Sequence, residues 1–131
     1  MGIQNEWPLH LSLGRSGRKT QYRLVAGVIV IVAYRPKAGQ EAATLQTVRE
    51  RVPFLRKEGL VTDRAPVIMR ARDGTIIEVS EWKSREAIEA AHKNKNVWEL
   101  WNRFMNVCDC VPLKSLAEAE EMFAGFEPVD E

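Results

Sequence analysis

The chain predicts an α+β domain, an antiparallel sheet with helices on one face, and three observations carry that reading. Asp73-Gly74 separates two runs of strand-forming residues, and Asp-Gly is among the strongest short-range hairpin signals because both central positions of a type I′ turn need φ > 0. Leu45, Val48, Val52 and Leu55 recur at three- and four-residue spacing, which makes one apolar stripe on a helix before the hairpin. Ser84, just after the hairpin, is a natural N-cap for a second helix. With a strand ahead of the first helix the order is β-α-β-β-α, most of a ferredoxin-like unit.

Each element follows from local chemistry. Residues 1–20 read as an arm, broken by Gly14, Ser16 and Gly17, although Trp7, Leu9, Leu11 and Leu13 alternate in the manner of an edge strand. The domain takes up residues 21–131. Arg23–Tyr34 is rich in Val and Ile without a helical stripe, so it is expected as a central strand apolar on both faces. The first helix is expected from Gln40 to Lys57, with Pro53 kinking or restarting it and Gly59 ending it.

A two-residue turn at Asp73-Gly74 would pair Arg70 with Ile77, Met69 with Glu78 and Ile68 with Val79. One face would then carry Ile68, Arg70, Ile77 and Val79, and the other Val67, Met69, Ala71, Ile76, Glu78, Ser80 and Trp82. The second helix runs from Ser84 to Lys93, breaks at Asn94-Lys95-Asn96 and resumes from Val97 to Val107, burying Val97, Leu100, Trp101, Phe104 and Cys108. Ser115-Leu116-Ala117-Glu118 matches a capping box, which predicts a last helix ending at Gly125. A fourth strand falls either near Cys110–Leu113 or in the tail.

Composition narrows the function classes. A chain of 131 residues, 45% hydrophobic, has enough apolar material for one core. A sheet with helices on one face and apolar residues on both needs a second cover, and another copy of the chain is the simplest. Net charge is +1, with Arg15, Arg18, Lys19 and Arg23 against Glu6 at the start and six uncompensated acids from Glu118 to Glu131 at the end. Four spaced basic charges read as a solvated arm, so no nucleic-acid partner is expected. The longest apolar run, Leu24–Val32, is strand length, and the polar start lacks a signal-like apolar core; no membrane partner is expected and the cytoplasm is the expected location. Cys108 and Cys110 supply half the thiolates of a structural zinc site and read as reduced cysteines; no metal site is expected.

His92 is the sharpest candidate for chemistry. It lies about 40° from the inward direction of Ile88, from about 100° per residue, and its imidazole exchanges protons near neutral pH. It reads either as a general base or as a helix-end histidine bonded to a backbone carbonyl. Glu78 is the odd member of an apolar strand face, either a catalytic acid or half of a structural ion pair, with Arg70, Arg72 or an arginine of a second copy as partner. Trp82, Tyr34, Trp98 and Trp101 offer flat walls for an aromatic ligand, or are simply core, and Arg70 is a further ligand contact.

The run Val28–Gly39 followed by a helix, then Glu81-Trp82-Lys83-Ser84, Ala87-Ile88 and His92, resembles the antibiotic biosynthesis monooxygenase-like proteins of the dimeric α+β barrel superfamily, over residues 22–113. The resemblance implies two ferredoxin-like units packed sheet to sheet, each with a small pocket between sheet and helices. It also implies one of three behaviours: oxidation of phenolic compounds by O2 without metal or flavin, haem cleavage, or no known reaction. Haem-cleaving members carry Asn, Trp and His where this chain has Ile31, His92 and Asn102, so haem cleavage is disfavoured and no cofactor is expected. The resulting expectation is a homodimer that binds a small aromatic or apolar ligand, either as a cofactor-independent monooxygenase with His92 as base or as a non-catalytic binding or stress-associated protein.

Overall fold

The computed structural model describes residues 27–129. The predicted arm, residues 1–20, lies outside them. The elements are β1 (Val28–Pro36), α1 (Glu41–Lys57), β2 (Val67–Arg70), β3 (Ile76–Trp82), α2 (Arg85–Ala91), α3 (Lys95–Val107), β4 (Cys108–Val111) and β5 (Glu127–Pro128). Two short 3₁₀ turns, Leu113–Ser115 and Ala117–Glu120, lie between β4 and β5. The strands form one antiparallel sheet in the order β4-β1-β3-β2-β5. Strand β3 lies between β1 and β2, the split βαβ of a ferredoxin-like unit, and the alternative places for a fourth strand are both used, β4 at one edge and β5 at the other.

Helix ends follow their capping chemistry. Ser84 accepts the Ala87 N–H at 3.0 Å and starts α2. The Asn94 carboxamide accepts from Asn96 and Val97 at 2.8 and 3.1 Å, which both breaks the helix there and restarts it as α3. Gly59, at φ +77°, ends α1 in a Schellman arrangement, with the Leu60 N–H on the Leu55 carbonyl at 3.0 Å. Pro53 does not restart α1; it is exposed, and the helix runs through it to Lys57.

The hairpin turn differs from the expected one by a residue. Ala71 N–H donates to Thr75 O at 2.8 Å and Gly74 N–H to Ala71 O at 3.0 Å, so the loop is Arg72-Asp73-Gly74. Only Gly74 has positive φ (+95°), and Asp73 Oδ1 instead accepts the Thr75 N–H at 2.8 Å. A type I′ turn would force Asp73 into the left-handed region, whereas the three-residue loop confines that conformation to glycine. The slip pairs Ile68 with Glu78 and Met69 with Ile77. Ile68 and Arg70 therefore share a face with Ile76 and Glu78, and Val67 and Met69 share one with Ile77 and Val79.

The predicted last helix is absent from the described residues. Ser115 Oγ donates to the Pro112 carbonyl at 2.7 Å, so it does not cap, and the Glu118 carboxylate accepts the Arg72 backbone N–H at 2.8 Å rather than turning back to Ser115. Leu116 is buried against Ala33, Ala71 and Ile77. Plugging that face is favourable enough to draw the segment out as a strap.

The main core lies between the helices and the face of β1 and β3 that carries Val30, Tyr34, Ile76 and Trp82, filled by Val48, Val52, Leu55, Ile88, Val97, Leu100 and Phe104. Beyond the strap the second face is left uncovered by the described residues, and Ile29, Ile31 and Val67 are exposed there. Among the described residues no helix is long and apolar enough to cross a membrane.

Candidate functional site

Helix α1 buries Thr44, Thr47 and Arg51 beside its apolar stripe, so one guanidinium enters the core. Arg51 Nη1 donates to Glu78 Oε1 at 2.9 Å and to Ser80 Oγ at 3.1 Å. Its guanidinium stands 5.7 Å from the centre of the Trp82 ring. Glu78, Ser80 and Trp82 are alternate residues of β3 on one face, opposite Val32, Val30 and Val28 of β1. Tyr34, at the far end of the same face, stacks on Phe104 with ring centres 4.7 Å apart.

The electrostatics of this group follow from its burial. Loss of water pushes the Glu78 carboxyl above the ordinary carboxylate range, and Arg51 draws it only part of the way back. Burial also pushes the Tyr34 phenol well above its usual 10, so Tyr34 stays protonated. Two polar atoms of the group, Glu78 Oε2 and Trp82 Nε1, are buried without a hydrogen-bond partner among the described residues. One is an acceptor, the other a donor.

The predicted site residues fall into two groups. Tyr34, Glu78 and Trp82 come together around Arg51. His92, Trp98 and Trp101 form a second cluster at the α2–α3 junction, where Trp101 lies 5.3 Å from His92 and 5.2 Å from Trp98, both edge-on. His92 Nδ1 is 2.9 Å from the Ile88 carbonyl, and the Trp98 indole donates to the His92 carbonyl at 2.7 Å. A carbonyl accepts only, so Nδ1 carries the hydrogen and Nε2 of the neutral ring keeps its lone pair. Arg70 does not join Glu78; it lies 3.7 Å from Glu127 across the β2–β5 pair. Arg72 is drawn instead to Glu118 and Glu121. Cys108 and Cys110 are free thiols, and burial pushes Cys108 up to about 12, which keeps it a thiol at neutral pH.

The family model for antibiotic biosynthesis monooxygenase matches residues 27–99. The chain belongs to that family. No curated protein and no solved structure matches it. The matched segment includes β1, α1, the hairpin and α2, hence all of the Tyr34–Arg51–Glu78–Trp82 group and His92. Helix α3 extends past it. That group sits on the sheet face that the helices cover. An open depression of about 650 Å³ lies on the opposite side of α1, lined by Glu50, Pro53, Phe54, Arg56 and Lys57, and contains none of the predicted site residues.

Arg51 is the member of this group that sequence reasoning missed. The signal was present: it lies three residues after Val48 and four before Leu55, at an inward position of the stripe. An inward arginine on the helix and an inward glutamate on the sheet imply each other, because neither charge is tolerable there alone.

Proposed function

We propose that the protein is a homodimer that binds a small aromatic molecule beside Glu78 and moves a proton on it, as a cofactor-independent monooxygenase of a phenolic substrate would require. One observation carries the reading: Glu78 Oε2 and Trp82 Nε1 are a buried acceptor and a buried donor, each without a partner among the described residues, next to a guanidinium. Such atoms are costly to leave unmade. A phenolic hydroxyl satisfies the carboxylate, and a ring carbonyl or second oxygen satisfies the indole N–H. The raised Glu78 carboxyl is the stronger base for it; taking the phenolic proton neutralises Glu78 and passes the negative charge to the phenolate, which the Arg51 cation stabilises. Deprotonation makes the phenol electron-rich enough to react with O2. Tyr34 and Trp82 supply aromatic wall, and Arg70 stands at the hairpin end of the same face.

His92 is the second candidate base, favoured by the free Nε2 that its bond to Ile88 leaves beside Trp98 and Trp101. The dimer is supported by the open sheet face, where Ile29, Ile31 and Val67 are 53%, 48% and 54% exposed.

The test is O2 consumption with a naphthol, alongside tryptophan fluorescence for binding, in the wild type, Glu78→Gln and His92→Ala. Loss of turnover in Glu78→Gln with turnover kept in His92→Ala is expected. The reverse pattern moves the base to His92. Binding without turnover in the wild type leaves a passive ligand-binding protein, and no binding to any variant overturns the reading.

A further inference from the structure

Met122 and Phe123 are 89% and 87% exposed, whereas the next most exposed large apolar side chain among the described residues, Val67, is 54%. They do not sit on a loose end. Before them, Leu116 is buried in the second sheet face and Arg72 holds Glu118 and Glu121, the latter at 2.9 Å. After them, Phe126 packs on the same face, Glu127 pairs with Arg70, and the Val129 N–H reaches the Ile68 carbonyl at 3.0 Å. A segment anchored on both sides thus holds two adjacent apolar side chains out in water, where covering them is favourable. The chain around them is acidic, with Glu118, Glu120, Glu121 and Glu127 and no base.

The outer side of α1 offers the complement. Its open depression, about 650 Å³, is lined by the apolar Pro53 and Phe54 together with the cationic Arg56 and Lys57. Glu50, the acid of that lining, is already ion-paired to Arg103. Arg56 is engaged by the Thr62 carbonyl, which leaves the exposed Lys57 as the cation nearest solvent.

We propose that Met122 and Phe123 of one copy seat in the α1 depression of a second copy, with Glu120 meeting Lys57. The contact joins two unlike surfaces, so each copy carries one tip and one depression. It uses neither the open sheet face nor the buried Arg51 group, and it stands whether or not the ligand reading does.

Sedimentation velocity of the full chain over a concentration series tests it. Met122→Ser with Phe123→Ser should weaken association through this contact by about tenfold, as expected for truncating two apolar anchors. Lys57→Glu should weaken it by about fivefold or less, as for an exposed charge pair, and adding Glu120→Lys should restore it. A photoreactive benzoylphenylalanine at position 123, in a mixture of isotopically labelled and unlabelled chains, should cross-link between chains to the Pro53–Lys57 stretch. It should do so equally in Ile31→Asp, which disrupts the sheet face. Unchanged association of the double serine variant, failure of the charge swap to restore binding, or cross-links to Trp98 or Met105, to the same chain or to nothing would each overturn the proposal.

Discussion

Removing the guanidinium of Arg51 leaves Glu78 fully buried with no counter-charge, and the cost can be worked from the titration of that one carboxyl. Glu78 accepts from Arg51 at 2.9 Å and is 0% exposed. In Arg51→Met the carboxylate has no cation to share the interior, so the folded protein holds it as a neutral acid. Taking up a proton at pH 7 against an ordinary value of 4.5 costs about 3.4 kcal/mol, at about 1.36 kcal/mol per pH unit. The wild type, whose Glu78 is itself raised, already bears part of that cost, so about 3.4 kcal/mol is the upper limit of the proton contribution to the deficit. The proton cost shrinks to about 0.7 kcal/mol at pH 5 by the same slope. Urea unfolding at fixed protein concentration and at both pH values therefore should show Arg51→Met much closer to the wild type at pH 5 than at pH 7. Combining it with Glu78→Leu should recover most of the loss at pH 7, since an apolar pair removes both charges together. An equal deficit at the two pH values, or simple additivity of the two substitutions, would refute the claim that Arg51 and Glu78 act as one buried unit.

Two further outcomes follow from the hairpin and its clasp. Gly74→Val should lower the thermal midpoint, because φ of +95° at that position costs a β-branched residue about 1–2 kcal/mol, whereas Thr75→Val should be nearly neutral; equal midpoints would contradict the turn. The acid limb of stability should lie below pH 4.5. The backbone N–H of Arg72 holds Glu118 below its usual value, and Arg64 with Thr62 does the same for Glu81. A carboxyl depressed in the folded state stabilises above its unfolded value and loses that contribution as pH falls through the folded one. Glu78 has the opposite sign: its raised value makes the protonated form the better folded one, so its contribution is lost as pH rises through that value. Glu118→Gln should therefore flatten the acid limb while Glu78→Gln leaves it in place, as read from thermal midpoints between pH 3 and 7.

What was legible in the chain was whatever local chemistry decides. The Ser84 cap, the break at Asn94, the Gly59 stop and the stripe through Val48, Val52 and Leu55 each need only a few neighbouring residues, and they gave the element order. The hairpin register was not legible, because Asp-Gly serves a two-residue and a three-residue loop alike. The choice fell to Asp73, whose carboxylate satisfies the Thr75 N–H only in the second. That single residue decides which face of β2 accompanies Glu78. The last helix failed for a similar reason. Ser115 and Glu118 have the right spacing for a capping box, but Leu116 gains more by covering Ile77, and Glu118 finds its donor forty-six residues away at Arg72. The site lay between these cases. Glu78 was conspicuous as a charge on an apolar strand, yet its partner was sought on the neighbouring strand, where arginines are close in sequence. The helix over the sheet supplied it instead, and with it the group that includes the unpartnered Trp82 indole. Residues that act as a pair across two layers leave one signal in each: an inward charge on the helix stripe and an inward charge of opposite sign on the strand. Arg51 and Glu78 become readable only when those two anomalies are set against each other.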